Sequence, residues 1–432
     1  MHSFAPEILL MTILGLVILS DALASRLKIP SVFLLLIGSY LTYTYFKPAV
    51  PIDLTEHFTT IILFCIPLIF MGDALHLKFR DIRRHGWSIF YLAVVAVALS
   101  IAIGAALHTF DIFAGLSVGA YVALFAINMA TDAVSVQSVL SRFEGIGHDI
   151  KVLIEGESLG NDATAVIAFF YIGLPWMLQG RIDAGHAALD ALRVFGVSTL
   201  LGLAVGYASY MVMKLYSDRR GELFTFVVEA YGAYVLAESF HVSGILTLIV
   251  AVVATKGWID ADLEASIRKK ERSFLRRLRL GGILTTTEER LEYIYEMARE
   301  FGYIAAVVIF FALAEMVDLR KLWEYRTEIL TMFLVTTLIR AAMMAKFAWL
   351  GAATDAIKPV GTEGWFLLTF SGMKGALSII LVHMIPDTFP HKELFESVTI
   401  GVVVLSIFVY GTVLWSYFTL FRSGKKPGLF AS

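Results

Sequence analysis

The chain has 432 residues, of which 58% are hydrophobic and only 17% are charged. Its mean hydropathy of +0.75 leaves no room for a large soluble domain and indicates a bilayer as the solvent. The formal net charge of −2 gives no support to nucleic-acid binding. The single cysteine, Cys65, excludes an internal disulfide, and its apolar surroundings predict a core residue and not a thiol catalyst.

Apolar stretches that approach the roughly 20 residues needed to cross a hydrocarbon core recur from one end of the chain to the other. The first stretch lacks a basic segment before it and an obvious cleavage site after it, which favours a retained helix over a signal peptide. We predict an all-α polytopic membrane protein with about 13 transmembrane helices. The predicted spans lie near residues 8–24, 32–46, 59–76, 88–107, 113–131, 152–174, 194–213, 223–239, 242–255, 302–317, 329–345, 365–385 and 398–420.

The distribution of basic residues predicts the orientation of the chain. With the N-terminus outside and the C-terminus in the cytoplasm, the cytoplasmic connections carry most of the Lys and Arg residues that lie between spans. The longest connection is either a basic amphipathic segment at an anionic leaflet or a linker that only sets topology. The predicted divisions are 1–255 with the first nine spans and the ion site, 256–301 as the basic cytoplasmic linker, 302–420 with the last four spans, and 421–432 as the tail.

Ionisable side chains inside the membrane are the strongest functional signal, because each costs about 2.5–3.5 kcal/mol on insertion scales. Helical spacing places Ser158 and Asp162 on one face of a span, and their oxygens suit an alkali or other hard cation. Glu157 and Asn161 form a neighbouring stripe, from which Glu157 is expected to meet a basic side chain on another helix. The acidic residues in or near predicted spans are Asp73, Asp132, Glu157, Asp162, Glu229, Glu238 and Glu315.

Two spans contain polar or glycine-rich interruptions. Thr131 and Asp132 end an otherwise apolar span, and such residues favour a local break in the helix, although an ordinary N-cap at the membrane surface is the alternative. The stretch from Ser371 to Gly375, which includes Lys374, interrupts the span near 365–385. Interrupted helices in corresponding halves of a chain point to a transporter site, so we predict two discontinuous helices.

At these residues the chain resembles the NhaP-type sodium/proton antiporters of the first cation:proton antiporter family, which are related to animal sodium/hydrogen exchangers. The resemblance runs through most of the length, and three segments carry it most specifically. They are Thr131-Asp132, the string Glu155-Gly156-Glu157-Ser158-Leu159-Gly160-Asn161-Asp162, and Gly372-Met373-Lys374-Gly375-Ala376-Leu377.

The resemblance assigns roles to individual positions. It implies that Asn161 and Asp162 form the ion-binding and proton-exchanging pair, and that Ser158, Asp132 and Thr131 complete the oxygen shell of a bound sodium ion. Glu157 and Arg340 match a structural ion pair of the family. Two accessory positions depart from it: Asp73 stands where relatives more often carry Glu, and Lys374 stands where they commonly carry Arg, so a planar bidentate donor is lost.

The resemblance also implies an architecture and a place in the cell. It predicts inverted repeats with two crossed discontinuous helices, in a six-helix core domain that moves against a dimerisation domain. The expected assembly is a homodimer in the plasma membrane, in contact with lipids. No cofactor is expected besides the transported ions.

The predicted function is the exchange of Na+, or Li+, for H+ by alternating access, with cation and proton competing for Asp162. Since Asn161 replaces the first acid of the Asp-Asp pair found in electrogenic relatives, the resemblance favours electroneutral one-for-one exchange. A K+/H+ antiporter of the same fold and a monovalent cation channel are the alternatives. An intramembrane hydrolase with an Asp132–Asp162 dyad is the least favoured hypothesis, because the sequence supplies no hydrolase pattern; the chain is predicted not to be an enzyme.

Overall fold

A computed structural model describes residues 5–27, 31–46, 58–140, 143, 146–215, 219–272, 288–353 and 359–422. Every regular element in these ranges is helical, as the hydropathy pattern predicts. Turns of π-helix at Tyr91–Val95 and Phe169–Gly173 join α4 to α5 and α8 to α9. The helices are α1 Ala5–Leu27, α2 Ser31–Phe46, α3 Phe58–His76, α4 Phe79–Phe90, α5 Ala96–Ala106, α6 Val118–Met129, α7 Ala133–Leu140, α8 His148–Ala168, α9 Leu174–Gln179, α10 Ala184–Met213, α11 Arg219–Ser239, α12 Gly244–Arg272, α13 Glu288–Met316, α14 Leu319–Glu324, α15 Arg326–Ala353, α16 Thr362–Phe370, α17 Ala376–His383 and α18 Lys392–Ser416.

Each of the predicted spans falls on one of these helices or on a pair of consecutive helices. Within the described residues, eight helical stretches are long and apolar enough to cross a membrane by length and composition. Three shorter apolar helices accompany them, at Phe33–Tyr45, Thr60–His76 and Val118–Met129. The chain is therefore a multi-pass α-helical membrane protein, and the predicted number of crossings stays a prediction.

Both predicted interruptions are breaks between two short helices. Residues 130–132 separate α6 from α7, and residues 371–375 separate α16 from α17. Ala130 leaves the helical conformation with φ −56° and ψ 138°, and Gly375 is extended, with φ −135° and ψ −160°. The freed backbone groups must find other partners, because bulk water is absent from the membrane interior.

The chain divides into two units. The first consists of Met1–Ile62, Trp87–Asp183 and Val307–Ser432, and it contains both broken helices together with α8, α15 and α18. The second consists of Leu63–Gly86 and Ala184–Ala306, and it contains α10, α11 and α12. The predicted core and dimerisation domains stay predictions, as do the predicted sequence divisions at 255, 301 and 420.

The segment predicted as a cytoplasmic linker, 256–301, is helical at both ends. Helix α12 continues to Arg272 and α13 begins at Glu288, whereas the basic residues Arg276, Arg277 and Arg279 lie outside the described residues. Lys256, the first residue of the predicted linker, is buried in α12, and its ammonium donates a hydrogen bond to the Leu75 carbonyl oxygen. The hydropathy pattern predicts that the span ends before Lys256, because a charged residue follows it. In the structure the Leu75 carbonyl oxygen accepts a hydrogen bond from this buried charge, and helix α12 continues beyond it.

Candidate ion-binding site

The break between α6 and α7 is held by polar side chains of α8. The Thr131 amide donates to Asp162 Oδ1 at 3.2 Å and lies 3.4 Å from Asn161 Oδ1. In the other direction, the Ser158 hydroxyl donates to the Thr131 carbonyl oxygen at 2.8 Å, and Asn161 Nδ2 donates to Thr131 Oγ1 at 2.7 Å. The four residues are buried, with exposed fractions of 6% or less. The predicted site residues Thr131, Ser158, Asn161 and Asp162 therefore lie together around one interruption.

Asp132 connects this break to the second one. Its backbone amide donates to the Met373 carbonyl oxygen at 2.8 Å, so the two interruptions are in direct contact. Its carboxylate Oδ2 accepts a hydrogen bond from Ser135 in the first turn of α7, at 2.5 Å. Asp132 thus stands directly before α7 and in the contact between the two breaks, as the transporter hypothesis predicts. The alternative of an N-cap at the membrane surface stays a prediction.

Two glycines of the second break permit this close approach. A Cβ atom at Gly375 would lie 2.3 Å from Asp132 Cβ, and one at Gly372 would lie 2.2 Å from Arg340 Nε. Both distances are far shorter than van der Waals contact, so any larger residue must displace its neighbour. The Gly-Met-Lys-Gly string in the sequence is therefore explained by the space available at the crossing.

Replacing Gly375 with alanine is expected to separate the two breaks and to abolish transport, because the added methyl group must push the Asp132 side chain or its backbone away. Overpacking of this kind lowers the free energy of unfolding by about 1–3 kcal/mol, and here the displaced residue, Asp132, belongs to the proposed site itself. Gly361→Ala is the matched control, because nothing lies within 4 Å of a Cβ built at that glycine, which directly precedes α16. Ion exchange by the two purified variants in liposomes measures the difference; equal activity would contradict this account of the crossing.

Glu157 and Arg340 form a bidentate ion pair. Arg340 Nη1 and Nη2 donate to the two carboxylate oxygens at 2.6 Å and 2.9 Å. The same guanidinium reaches the end of α16, where Nη2 donates to the Leu368 carbonyl oxygen at 2.7 Å and Nε to that of Thr369 at 3.0 Å. The Glu157 side chain is 3% exposed and the Arg340 side chain is 11% exposed. Arg340 therefore satisfies a buried charge on α8 and the last carbonyls of a half-helix together.

The accessory positions lie in different surroundings. Lys374 is buried beside the crossing, with 3% of its surface exposed, and its backbone amide donates to Ser406 Oγ of α18 at 2.8 Å. Asp73 belongs to the second unit, where it occupies a half-buried position in α3. Lys374 thus lies with the site residues of the first unit, and the role expected for Asp73 stays a prediction.

Several polar partners at the crossing were not predicted from the sequence. The Ser378 hydroxyl donates to the Ile127 carbonyl oxygen at 2.8 Å, which joins α17 to the end of α6. Asn128 Nδ2 donates to the Leu124 carbonyl oxygen at 2.9 Å and lies 3.5 Å from Thr399 Oγ1. The sequence marks such residues only as Ser, Thr or Asn within apolar runs, and that pattern does not identify their partners.

The chain matches the family described as sodium/hydrogen exchanger, transmembrane, over residues 8–419. It belongs to this family. The exchanger family is the one that the motifs around Thr131, Glu157 and Lys374 indicate. The prediction of a transporter and not an enzyme is thereby confirmed, and the hydrolase hypothesis is rejected.

Individual exchangers are similar to this chain along most of its length. The Na+/H+ antiporter NhaH of Halobacillus aidingensis is 27% identical over 428 residues, which cover 96% of each chain. The Na+/H+ antiporter NhaP of Pseudomonas aeruginosa is 26% identical over 352 residues, which cover 80% of this chain and 77% of that one. The structure of the sodium proton antiporter MjNhaP1 from Methanocaldococcus jannaschii at pH 8 matches with a TM-score of 0.71 at 17% identity, over 95% of this chain and 97% of that one. The predicted all-α exchanger fold is confirmed.

The chemistry available at the candidate site follows from its donor set. A carboxylate, a hydroxyl and backbone carbonyls are hard oxygen ligands, which suit alkali cations and give transition metals little hold. The Asp162 carboxylate lies where a helix is interrupted, so backbone groups that a continuous helix would use internally face it instead. The arrangement combines the carboxylates of Asp162 and Asp132 with neutral hydroxyl and backbone oxygen atoms.

Proposed function

We propose that this chain exchanges Na+ for H+ across the plasma membrane, and that the two ions compete for the Asp162 carboxylate. The observation that carries this proposal is the contact of Asp162 Oδ1 with the Thr131 amide at the break of a discontinuous helix. This contact positions a buried acid against backbone and side-chain oxygens at the crossing of two half-helices. Membership of the sodium/hydrogen exchanger family supports the choice of ions.

The sodium ion binds through oxygen atoms of both α8 and the α6–α7 break. Asp162 supplies the negative charge, and Ser158, Asp132 and the Thr131 backbone supply further oxygens. When the ion leaves, Ser158 and Asn161 keep the break ordered through their hydrogen bonds to Thr131. The ligands are thus held in place in the absence of the cation, which reduces the entropic cost of binding.

One proton replaces one sodium ion in this proposal. Asn161 cannot titrate, because its side chain is an amide, and its hydrogen bonds with Thr131 give it a positioning role. Asp132 accepts a hydrogen bond from Ser135 and serves as a further oxygen ligand. Asp162 alone changes its protonation, so each direction of the cycle carries equal charge and the exchange is electroneutral.

The remaining predictions fit this cycle. Alternating access exposes the ion-loaded site of the first unit to one side of the membrane and then to the other. The protein is a homodimer, and each chain has its N-terminus outside and its C-terminus in the cytoplasm. Lys374 places a positive charge near the crossing and balances the site when it is empty, whereas Asp73 attracts cations from the cytoplasm. Li+ shares the hard-ligand chemistry of Na+ and is an expected second substrate.

The experiment that tests this function is a Na+ gradient imposed on proteoliposomes that contain a pH-sensitive dye. The gradient is expected to change the internal pH to the same extent with the membrane potential free or clamped at zero, because electroneutral exchange does no work against the potential. Parallel gradients of Li+ and K+ determine the cation selectivity. A voltage-driven Na+ current without proton movement would identify a channel, and an effect of K+ alone would identify a K+/H+ antiporter.

Competition for one carboxylate predicts the pH dependence of transport. A cation binds only the deprotonated ligand, so the Na+ concentration for half-maximal exchange is expected to rise as the pH falls, approaching about tenfold per pH unit. The maximal rate at saturating Na+ changes much less. Dye dequenching over a grid of Na+ concentrations and pH values measures both quantities, and an apparent Na+ affinity that is independent of pH would contradict competition.

A further inference from the structure

The second unit contains a buried acid that the exchange cycle does not use. Glu229 of α11 is 2% exposed, and its Oε1 lies 2.5 Å from Thr255 Oγ1 of α12. The same hydroxyl lies 2.9 Å from the Gly206 carbonyl oxygen of α10. A Cβ at Gly206 would lie 3.1 Å from Thr255 Oγ1, so the glycine allows this approach. Three helices of one unit therefore meet at a single hydroxyl group.

The number of hydrogen atoms on Thr255 Oγ1 and Glu229 determines whether the two contacts of this hydroxyl can both be hydrogen bonds. A threonine hydroxyl donates one hydrogen bond, and a backbone carbonyl oxygen only accepts. An ionised Glu229 also only accepts, so Thr255 would face two acceptors with one hydrogen and leave one contact unmade. A proton on Glu229 Oε1 resolves this, because Glu229 then donates to Thr255 and Thr255 donates to the Gly206 carbonyl oxygen.

The charges around Glu229 lead to the same result. Within the described part of the chain, Glu229 Oε2 has no hydrogen-bond partner. The neighbouring cation, Lys256, donates to the Leu75 carbonyl oxygen and lies 4.4 Å from the centre of the Tyr295 ring. Among the described residues no ion pair with Glu229 is observed, so an ionised Glu229 would be a buried charge without a counterion there, which is strongly unfavourable. A neutral acid leaves only one carbonyl oxygen unpaired.

We infer that Glu229 is a second proton-binding site, separate from Asp162, at which the proton stays bound during transport. The proton completes a chain of hydrogen bonds from Glu229 through Thr255 to Gly206 and so joins α11, α12 and α10. The ligand of this site is H+ itself. Its role is to hold the second unit together, and it adds nothing to the exchange stoichiometry.

Infrared spectroscopy of the full-length protein in liposomes tests the inference directly. Spectra are recorded at saturating Na+, so that Asp162 is deprotonated, in light and in heavy water. We expect the carbonyl-stretching band of a protonated carboxylic acid, lost in Glu229→Gln and retained in Asp318→Asn. Asp318 is a matched control because it is exposed and accepts hydrogen bonds from two backbone amides before α14. The absence of a band that depends on Glu229 would overturn the inference.

Two further measurements keep the inference falsifiable. In Thr255→Val the acid loses its hydroxyl partner, so the Glu229 band is expected to shift; an unshifted band would contradict the proposed hydrogen bond even if Glu229→Gln fails to fold.

Glutamine retains a donor for Thr255, so Glu229→Gln is expected to exchange Na+ for H+ with an unchanged pH profile. A displaced profile would show that Glu229 titrates during transport and would overturn the claim of a resident proton.

Discussion

Replacing Asp162 with asparagine is expected to reduce Na+-driven proton movement to the level of protein-free liposomes. The amide retains the size of the side chain and an oxygen that can accept from the Thr131 amide, so the break should remain ordered. It removes the negative charge that a sodium ion needs and the group that takes up the proton. Asp162→Asn therefore separates transport from folding more cleanly than a truncation to alanine.

The control for this variant is Asp149→Asn, the same change in the first turn of the same helix, α8. Asp149 lies outside the proposed ligand set, and its replacement removes the stabilisation of about 0.3–1 kcal/mol that an acid typically contributes at a helix N-terminus. Both proteins should be purified in the same amount and with the same melting temperature. Full exchange by Asp162→Asn would end the proposed role of this carboxylate.

Replacing Arg340 with glutamine is expected to lower the free energy of unfolding by about 3–5 kcal/mol, the usual cost of leaving a buried charge without its partner. The substitution leaves Glu157, which is 3% exposed, without its counterion. It also removes the hydrogen bonds that the guanidinium donates to the Leu368 and Thr369 carbonyl oxygens. Glu157→Gln should cost less, because Arg340 keeps its bonds to these carbonyls. Equilibrium denaturation in mixed micelles measures both effects.

A double variant tests whether the two residues act as a pair. Glu157→Gln combined with Arg340→Gln should be less destabilised than the sum of the single variants, since neither charge is then left alone. Arg326→Gln, at the start of the same helix as Arg340, is the surface control; its guanidinium donates to the Trp323 carbonyl oxygen in an exposed position. Strict additivity, or an equal effect of the control, would contradict the structural role of the pair.

Much of the fold and of the candidate site could be predicted because the relevant signals are local. Apolar runs identify helices, and the polar stretches at Thr131 and at Lys374 interrupt such runs at the two breaks that the structure contains. The four-residue spacing of Ser158 and Asp162 correctly places both side chains toward one neighbour. The pairing of Glu157 with Arg340, which are separated by 183 residues, came from the family resemblance and not from spacing.

The features that were missed depend on contacts between distant residues. No local pattern predicts that Ser378 donates to the Ile127 carbonyl oxygen or that Thr255 joins Gly206 to Glu229. Helix α12, which continues beyond the span predicted to end at residue 255, is a related case. Lys256 resembles the first residue of a charged loop, whereas in the structure it is buried within the helix and donates to the Leu75 carbonyl oxygen.

The most direct test of the central claim is the number of protons released when Na+ binds to the purified protein, measured by calorimetry in buffers of different ionisation enthalpy. Competition at Asp162 predicts the release of close to one proton for each sodium ion at the acidic end of the active range, and no binding heat for Asp162→Asn. Sodium binding without proton release, or binding by Asp162→Asn that equals the parent protein, would contradict the account.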